Sequence, residues 1–233
     1  APGGNEPSGR PETHPWGFRK GIVICDNSIY STGRNAIEFT GDGTICARNV
    51  IRFKNDVWRP TVRGFKESSG SSTTDTRPVQ MRGWRWIVED NDYEVYRNWA
   101  ADHKYHINDG EGPMHENHCN AHIRDSRITG NRGNAYLSLY KTGGIDGLLI
   151  EGNDISVDRG MAIFVDADHD ENRRGHCHRV KIVNNKTVGG ILIRGYPAAD
   201  NLVAHNKNVG GPAPLRNHAN ATLNENTGYT VET

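Results

Sequence analysis

Apolar residues recur at a spacing of two on both sides of one repeating polar position. The segments IVICDNSI, TICARNVI, WIVEDNDY, HIRDSRI, LLIEGNDI, VKIVNNKT, LVAHNKNV and TLNENTG place that marker at Asn27, Asn49, Asn91, Ser126, Asn153, Asn185, Asn206 and Asn226. Positions five and three before the marker, and two after it, are mostly apolar. They are Ile22, Ile24 and Ile29 in the first repeat, and Trp86, Val88 and Tyr93 in the third. They are Ala121, Ile123 and Ile128 in the fourth, and Leu148, Ile150 and Ile155 in the fifth. Alternation of this kind belongs to strands, whose side chains point to opposite faces in turn. No comparable run has apolar residues at helical spacing. The shortest marker separations are 20 to 22 residues, and one of 42 reads as the same unit carrying an insertion.

A second strand follows each marker by six to thirteen residues, as in AIEF (36–39), AYLSLY (135–140), MAIFV (161–165) and GILIR (190–194). Glycine-rich breakers close each unit. One such unit has no way to bury its apolar face alone. Stacked units pair every strand with those above and below, which satisfies the backbone. An Asn at the same corner of each unit passes amide hydrogen bonds from rung to rung. Its tolerance of left-handed backbone angles also suits a corner. The pattern therefore predicts an all-β solenoid of about seven to eight coils with an Asn ladder.

Composition agrees with a thin core. Apolar residues are 34% of the 233, below the share usual for a compact layered domain. Twenty-seven glycines fit repeated tight turns. The formal net charge is zero, from 28 basic and 28 acidic residues, which argues against a strongly cationic nucleic-acid surface. No stretch approaches the roughly 18 apolar residues that cross a membrane. Cys25, Cys46, Cys119 and Cys177 form no CxxC pair, so two disulfides and four thiols both stay open.

Over residues 21 to about 228 the repeat resembles the parallel β-helix superfamily of pectate lyases, polygalacturonases, alginate epimerases and phage tailspikes. The resemblance implies a right-handed single-stranded parallel β-helix, with the ladder between its second and third sheets. It also implies a substrate groove on the first sheet, formed by the strand after each long loop. Residues 1–20 are then an N-terminal extension or cap, and 21–233 the β-helix domain with insertions at about 52–78, 94–120 and 166–178. A partner chain, or a further segment of a longer polypeptide, is the alternative cover for the end of the stack. A secreted or cell-surface location goes with such a protein.

Alternation predicts the side chains that leave the first sheet. With Ile37, Phe39, Val79 and Met81 inward, Glu38, Gln80 and Arg82 point out. With Tyr105 and Ile107 inward, Lys104 and His106 point out. Tyr136, Ser138 and Tyr140 follow, then Phe164 and Asp166, then Leu192 and Arg194. Arg82, His106, Tyr140, Asp166 and Arg194 are thus expected along one face, in a register that a slip of one residue would reverse. That face suits an acidic glycan. β-Elimination needs a cation to neutralise the uronate carboxylate, a base for the proton beside it, and an acid for the leaving oxygen. Arg82, Lys104 and Arg194 are candidates for the first role, His106 and Lys104 for the second, and Tyr140 for the third. Tyr136 and Phe164 are candidates to support sugar rings, with Asp166, Asp168 and His169 also binding substrate.

Two loops offer other chemistry. In DGEGPMHENH (109–118), Asp109, Glu111 and Glu116 are candidate oxygen ligands for Ca²⁺, which lyases of the resembled superfamily often use. His115, His118 and Cys119, with His122, are the alternative set for a transition metal. DADHDE (166–171) is faintly similar to the DPH(D/E) motif of alginate epimerases, with Ala167 and Asp168 where that motif has Asp and Pro. Asp166 and Asp168 are also a candidate glycosidase pair. The polygalacturonase pattern is not met, since RGHCH (174–178) lacks its Gly-His-Gly. The leading expectation is an enzyme cleaving an acidic polysaccharide by elimination. A glycoside hydrolase or uronate epimerase on the same face is the first alternative. A non-catalytic glycan-binding or tailspike-like module is the second.

Overall fold

The computed structural model describes residues 19–31, 35–54, 77–96, 115–116, 122–139, 144–167, 175–196 and 199–232. Among them every regular element is a strand, and every strand pairing is parallel. No helix long and apolar enough to cross a membrane occurs among the described residues. Successive passes of the chain stack strand on strand in three sheets of four, eight and ten strands. The second sheet shows the repeat most plainly. Its strands are Val23–Cys25, Ile45–Ala47, Ile87–Glu89, His122–Thr129, Gly144–Glu151, Cys177–Val183, Leu202–Ala204 and Thr222–Asn224.

The first and third sheets run together in the later passes. Asn35–Asp42, Arg77–Trp84 and His115–Glu116 belong to the first sheet. Leu137–Leu139 lies beside His115–Glu116 and pairs with Ile163–Val165. Those last residues end one long strand, Asp154–Asp166, whose early part pairs in the third sheet. Its register against Lys186–Arg194 shifts between Ser156, Met161 and Ile163, so one strand turns from one sheet into the other.

Each pass in the second sheet is bounded by two residues of positive φ. These pairs are Gly21 and Asp26, Gly43 and Arg48, Arg85 and Asp90, Asp125 and Gly130, Gly147 and Gly152, Arg179 and Asn184, Asp200 and His205, and Asn220 and Glu225. The ladder Asn directly follows the second member. The left-handed turn expected of the Asn is therefore made by the residue before it. The Asn keeps ordinary angles and turns its amide into the corner. Left-handed angles strain side chains with a Cβ. Arg48 and Arg179 occupy such corners and pair across passes, with Asp26 at 2.7 Å and Asp125 at 3.2 Å.

The ladder runs through Asn27, Asn49, Asn91, Asn131, Asn153, Asn185, Asn206 and Asn226. In the first seven, Nδ2 donates to the Oδ1 of the next Asn at 2.8–3.0 Å, and Asn226 Nδ2 donates to the Val203 carbonyl at 2.7 Å. The backbone N–H of each of those seven donates to the same Oδ1 at 2.9–3.1 Å. The fourth rung corrects the sequence register: Asn131, not Ser126, is the marker. Ser126 Oγ accepts from Trp86 N–H at 3.3 Å and donates to the Arg124 carbonyl at 2.8 Å. Ser126, Ile128 and Gly133 therefore replace Ala121, Ile123 and Ile128 in that pass. Ile123 and Ile128 are both buried, so the apolar pattern fits either register.

Buried apolar side chains from all three sheets join in one core cluster. Row partners Ile51, Tyr93, Gly133, Ile155 and Thr187 stack in one file of the third sheet. Cys25, Cys46 and Cys177 are free thiols, and burial pushes Cys46 up to about 12, so it stays protonated and inert. Cys119 lies outside the described residues.

Ion pairs between passes lace the outer faces. Asp92 accepts from Arg52 at 3.0 Å and from Arg132 at 2.9 Å. Partial burial raises its carboxyl pKa, but the two guanidiniums outweigh that and hold it below the ordinary carboxylate value. Its stabilising contribution is therefore complete above the unfolded pKa, and is lost as pH falls through the folded one. Asp92→Asn should lower the urea midpoint at pH 7, with the gap to the native protein closing as pH drops below about 4. An unchanged gap in urea titrations from pH 7 to pH 3 would count against this assignment.

Candidate functional site

The later passes build a flank whose inner and outer rows are set by register. Leu137, Ile163, Ile191 and Leu215 form one row, all buried. Ser138, Phe164, Leu192 and Arg216 form the next row, with Ser138 and Leu192 buried, Phe164 half-buried and Arg216 exposed. The row of Asp166, Arg194 and His218 closes the flank.

Asp166 is 0% exposed, and both its oxygens accept from Arg194, from Nε at 3.0 Å and from Nη2 at 2.5 Å. A bidentate pair fixes the guanidinium plane as well as its charge. The Arg194 side chain is still 43% exposed. Its backbone is pinned too, since its carbonyl accepts from Ala167 N–H at 2.9 Å and from the Cys177 thiol at 3.4 Å. The chain then turns through Gly195 onto the next pass. A Cβ there would lie 2.8 Å from Cys177 Sγ and 3.2 Å from the Gly175 carbonyl oxygen, so glycine permits this close approach. Tyr196 N–H donates to the Gly175 carbonyl at 2.8 Å, and Gly175 N–H to the Ala167 carbonyl at 3.0 Å. Tyr196 and His176 form a parallel bridge. Their rings meet edge to face, 5.2 Å apart at 84°. One corner thus gathers Asp166, Arg194, His176 and Tyr196, with His218 one pass further on.

The sequence-predicted residues fall unevenly. Arg194, Asp166 and Phe164 sit on this flank, with Arg194 and Asp166 as direct partners. Tyr136 is 3% exposed and Ser138 6%, as closed as Leu137 and Leu139. The expected exposure of Tyr136 is therefore absent, because burial in this stretch does not follow strand alternation. Arg82 lies on the first sheet opposite Thr40. Glu116 lies on a strand, opposite Gln80, where a loop ligand was expected. The segment pairing with 79–80 is 115–116, whereas the sequence reading put 104–107 on that sheet. Lys104, His106, Tyr140, Asp109, Glu111, Asp168 and His169 lie outside the described residues, as do His118 and Cys119. Among the described residues, no group of three His, Cys, Asp or Glu side chains is placed to hold a metal.

His176, Tyr196 and His218 escaped the sequence reading. Tyr196 carried a usable signal, standing two residues beyond Arg194. His176 stood in RGHCH (174–178), where nothing local pointed to Tyr196, its partner on the following pass.

A concavity of about 790 Å³ lies on the second sheet, with Leu149, Val183 and Leu202 among its lining residues. An ionic chain that includes Asp125 and Arg179 forms part of its wall. Asp125 and Asp146 accept from Arg179 at 3.2 and 2.8 Å, and His178 Nδ1 lies 2.9 Å from Asp146. Arg179, and then His178, hold the Asp146 carboxyl below its ordinary pKa. No family model matches the chain, and no curated protein and no solved structure matches it.

Proposed function

We propose that the three sheets close as a right-handed parallel β-helix that takes an acidic polysaccharide along the Asp166–Arg194 flank and cleaves it by β-elimination. The observation that carries this reading is Arg194, held by a buried carboxylate yet reaching solvent. Such a guanidinium is pre-oriented to meet a uronate carboxylate, and withdrawing charge from that group makes the neighbouring C–H more acidic. Half-buried Phe164, in the adjacent row, offers an apolar edge to a sugar ring. Elimination is favoured over hydrolysis because both Asp166 oxygens are engaged by Arg194. A carboxylate so occupied serves as an anchor rather than as half of a glycosidase pair. A non-catalytic glycan-binding module is the second reading, since the same anchored arginine serves binding alone.

The test is a panel of uronic-acid and neutral polysaccharides, scored by gel retardation and by ultraviolet absorbance of unsaturated products, with and without a chelator. At least one acidic glycan should bind and yield product. Arg194→Ala should weaken that binding about 10- to 100-fold, the range for losing a charge-assisted hydrogen bond. The chelator arm reads the calcium expectation directly. Retardation by none of the acidic glycans would overturn the proposal.

A further inference from the structure

We infer that His176 and Tyr196 are the proton-transfer pair of this site, His176 as base and Tyr196 as acid. The inference rests on the acidic-glycan reading above and assigns the two roles that Arg194 does not fill. Among the described residues, the titratable groups beside Arg194 are Asp166, Cys177, His218, His176 and Tyr196. Asp166 has both oxygens on Arg194. Cys177 is fully buried and bonds the Arg194 carbonyl. His218 lies one pass further along the row. His176 and Tyr196 stand on the corner that directly follows Arg194, both exposed to solvent.

Their placement is built rather than incidental. Tyr196 is two residues past Arg194, across the one glycine that lets this turn close on Cys177. Its backbone is tied to Gly175, the neighbour of His176. The edge-to-face contact, 5.2 Å between ring centroids, sets the two rings against each other. A sugar whose carboxylate meets Arg194 thus lies next to the corner that carries both rings, two residues further along the chain.

The chemistry balances without a further reactant. A His176 ring nitrogen takes the proton from the carbon bearing the carboxylate. The C–H electron pair becomes a double bond to the neighbouring ring carbon. The bond from that carbon to the glycosidic oxygen breaks, and the oxygen leaves with its electron pair and receives the Tyr196 phenolic proton. Solvent then returns the proton from the imidazolium to the phenolate.

The experiment uses the full chain and whichever panel polysaccharide binds it, measuring Kd by titration and product formation by ultraviolet absorbance. Tyr196→Phe and His176→Gln should keep Kd within about twofold, while product formation falls at least about 100-fold, as for loss of a general acid or base. His205→Ala, at a corner of the second sheet, should stay within about threefold of native turnover. Native-like turnover in Tyr196→Phe and His176→Gln, with cleavage by the unaltered protein intact, would overturn this assignment and leave the glycan reading standing. Binding without product from the unaltered protein would overturn it as well. Failure of the unaltered protein to bind any acidic polysaccharide would remove the glycan reading itself.

Discussion

Asn153→Ala lowers the unfolding free energy by about 3–5 kcal/mol, as an expected result of equilibrium denaturation in urea. Asn153 is 1% exposed, and its Oδ1 accepts from the Asn131 backbone at 2.9 Å and the Asn131 amide at 3.0 Å. Its Nδ2 donates to the Ile128 carbonyl at 3.1 Å and to Asn185 Oδ1 at 2.9 Å. Alanine orphans the buried Asn131 backbone N–H, at about 1–3 kcal/mol, and removes the amide bonds on both sides of the rung at about 1 kcal/mol each, Asn131 Nδ2 keeping the Val88 and Thr129 carbonyls. The comparison is Asn27→Ala at the exposed start of the ladder. There the side chain donates to the Cys25 carbonyl and to Asn49 Oδ1, both at 2.9 Å, with solvent at hand. That change costs about 1 kcal/mol. Equal effects at the two positions would mean that the ladder contributes no more inside the stack than at its rim.

The second large effect is expected at Gly133. A Cβ on this residue would lie 2.0 Å from the Tyr93 carbonyl oxygen and 2.8 Å from its carbon, at a φ of 131°. Backbone offers no rotamer to move aside. The strand must shift away from Tyr93, whose ring is among the largest fully buried side chains. Strain and overpacking together put Gly133→Ala at about 3–5 kcal/mol. Gly152→Ala separates the two contributions, because its φ is 64° but no atom lies within 4 Å of the added carbon. Only the left-handed penalty remains there, about 1–2 kcal/mol. Thermal and urea unfolding of both variants decide the matter. If Gly133→Ala proves no worse than Gly152→Ala, the close approach to Tyr93 is not a feature of the folded protein.

Much of the architecture was legible because it is local and repeated. Seven of the eight ladder residues stood out in the chain, since each is flanked by apolar residues two apart. Parallel stacking followed, because a unit of that size has no other way to cover its apolar face. The fourth rung misled because Ser126 and Asn131 stand five residues apart, the same interval that separates the two left-handed corners of a pass. Either residue matches the alternation. Only the amide bonds to Asn91 and Asn153 choose between them.

The site was less legible, for a physical reason. Strand alternation assigns a side chain to a face, and it put Asp166 and Arg194 on the same one. It is blind to what that side chain meets on the neighbouring pass. That partner depends on how many residues the chain spends between rungs, 22 at one step of the ladder and 42 at another. Hence the buried carboxylate beneath Arg194, the closed environment of Tyr136, and the meeting of His176 with Tyr196 appear only once the passes are stacked. Rung identity is written in short-range pattern. The chemistry of the flank arises from contacts between segments some 20 to 30 residues apart, such as Asp166 with Arg194 at 28.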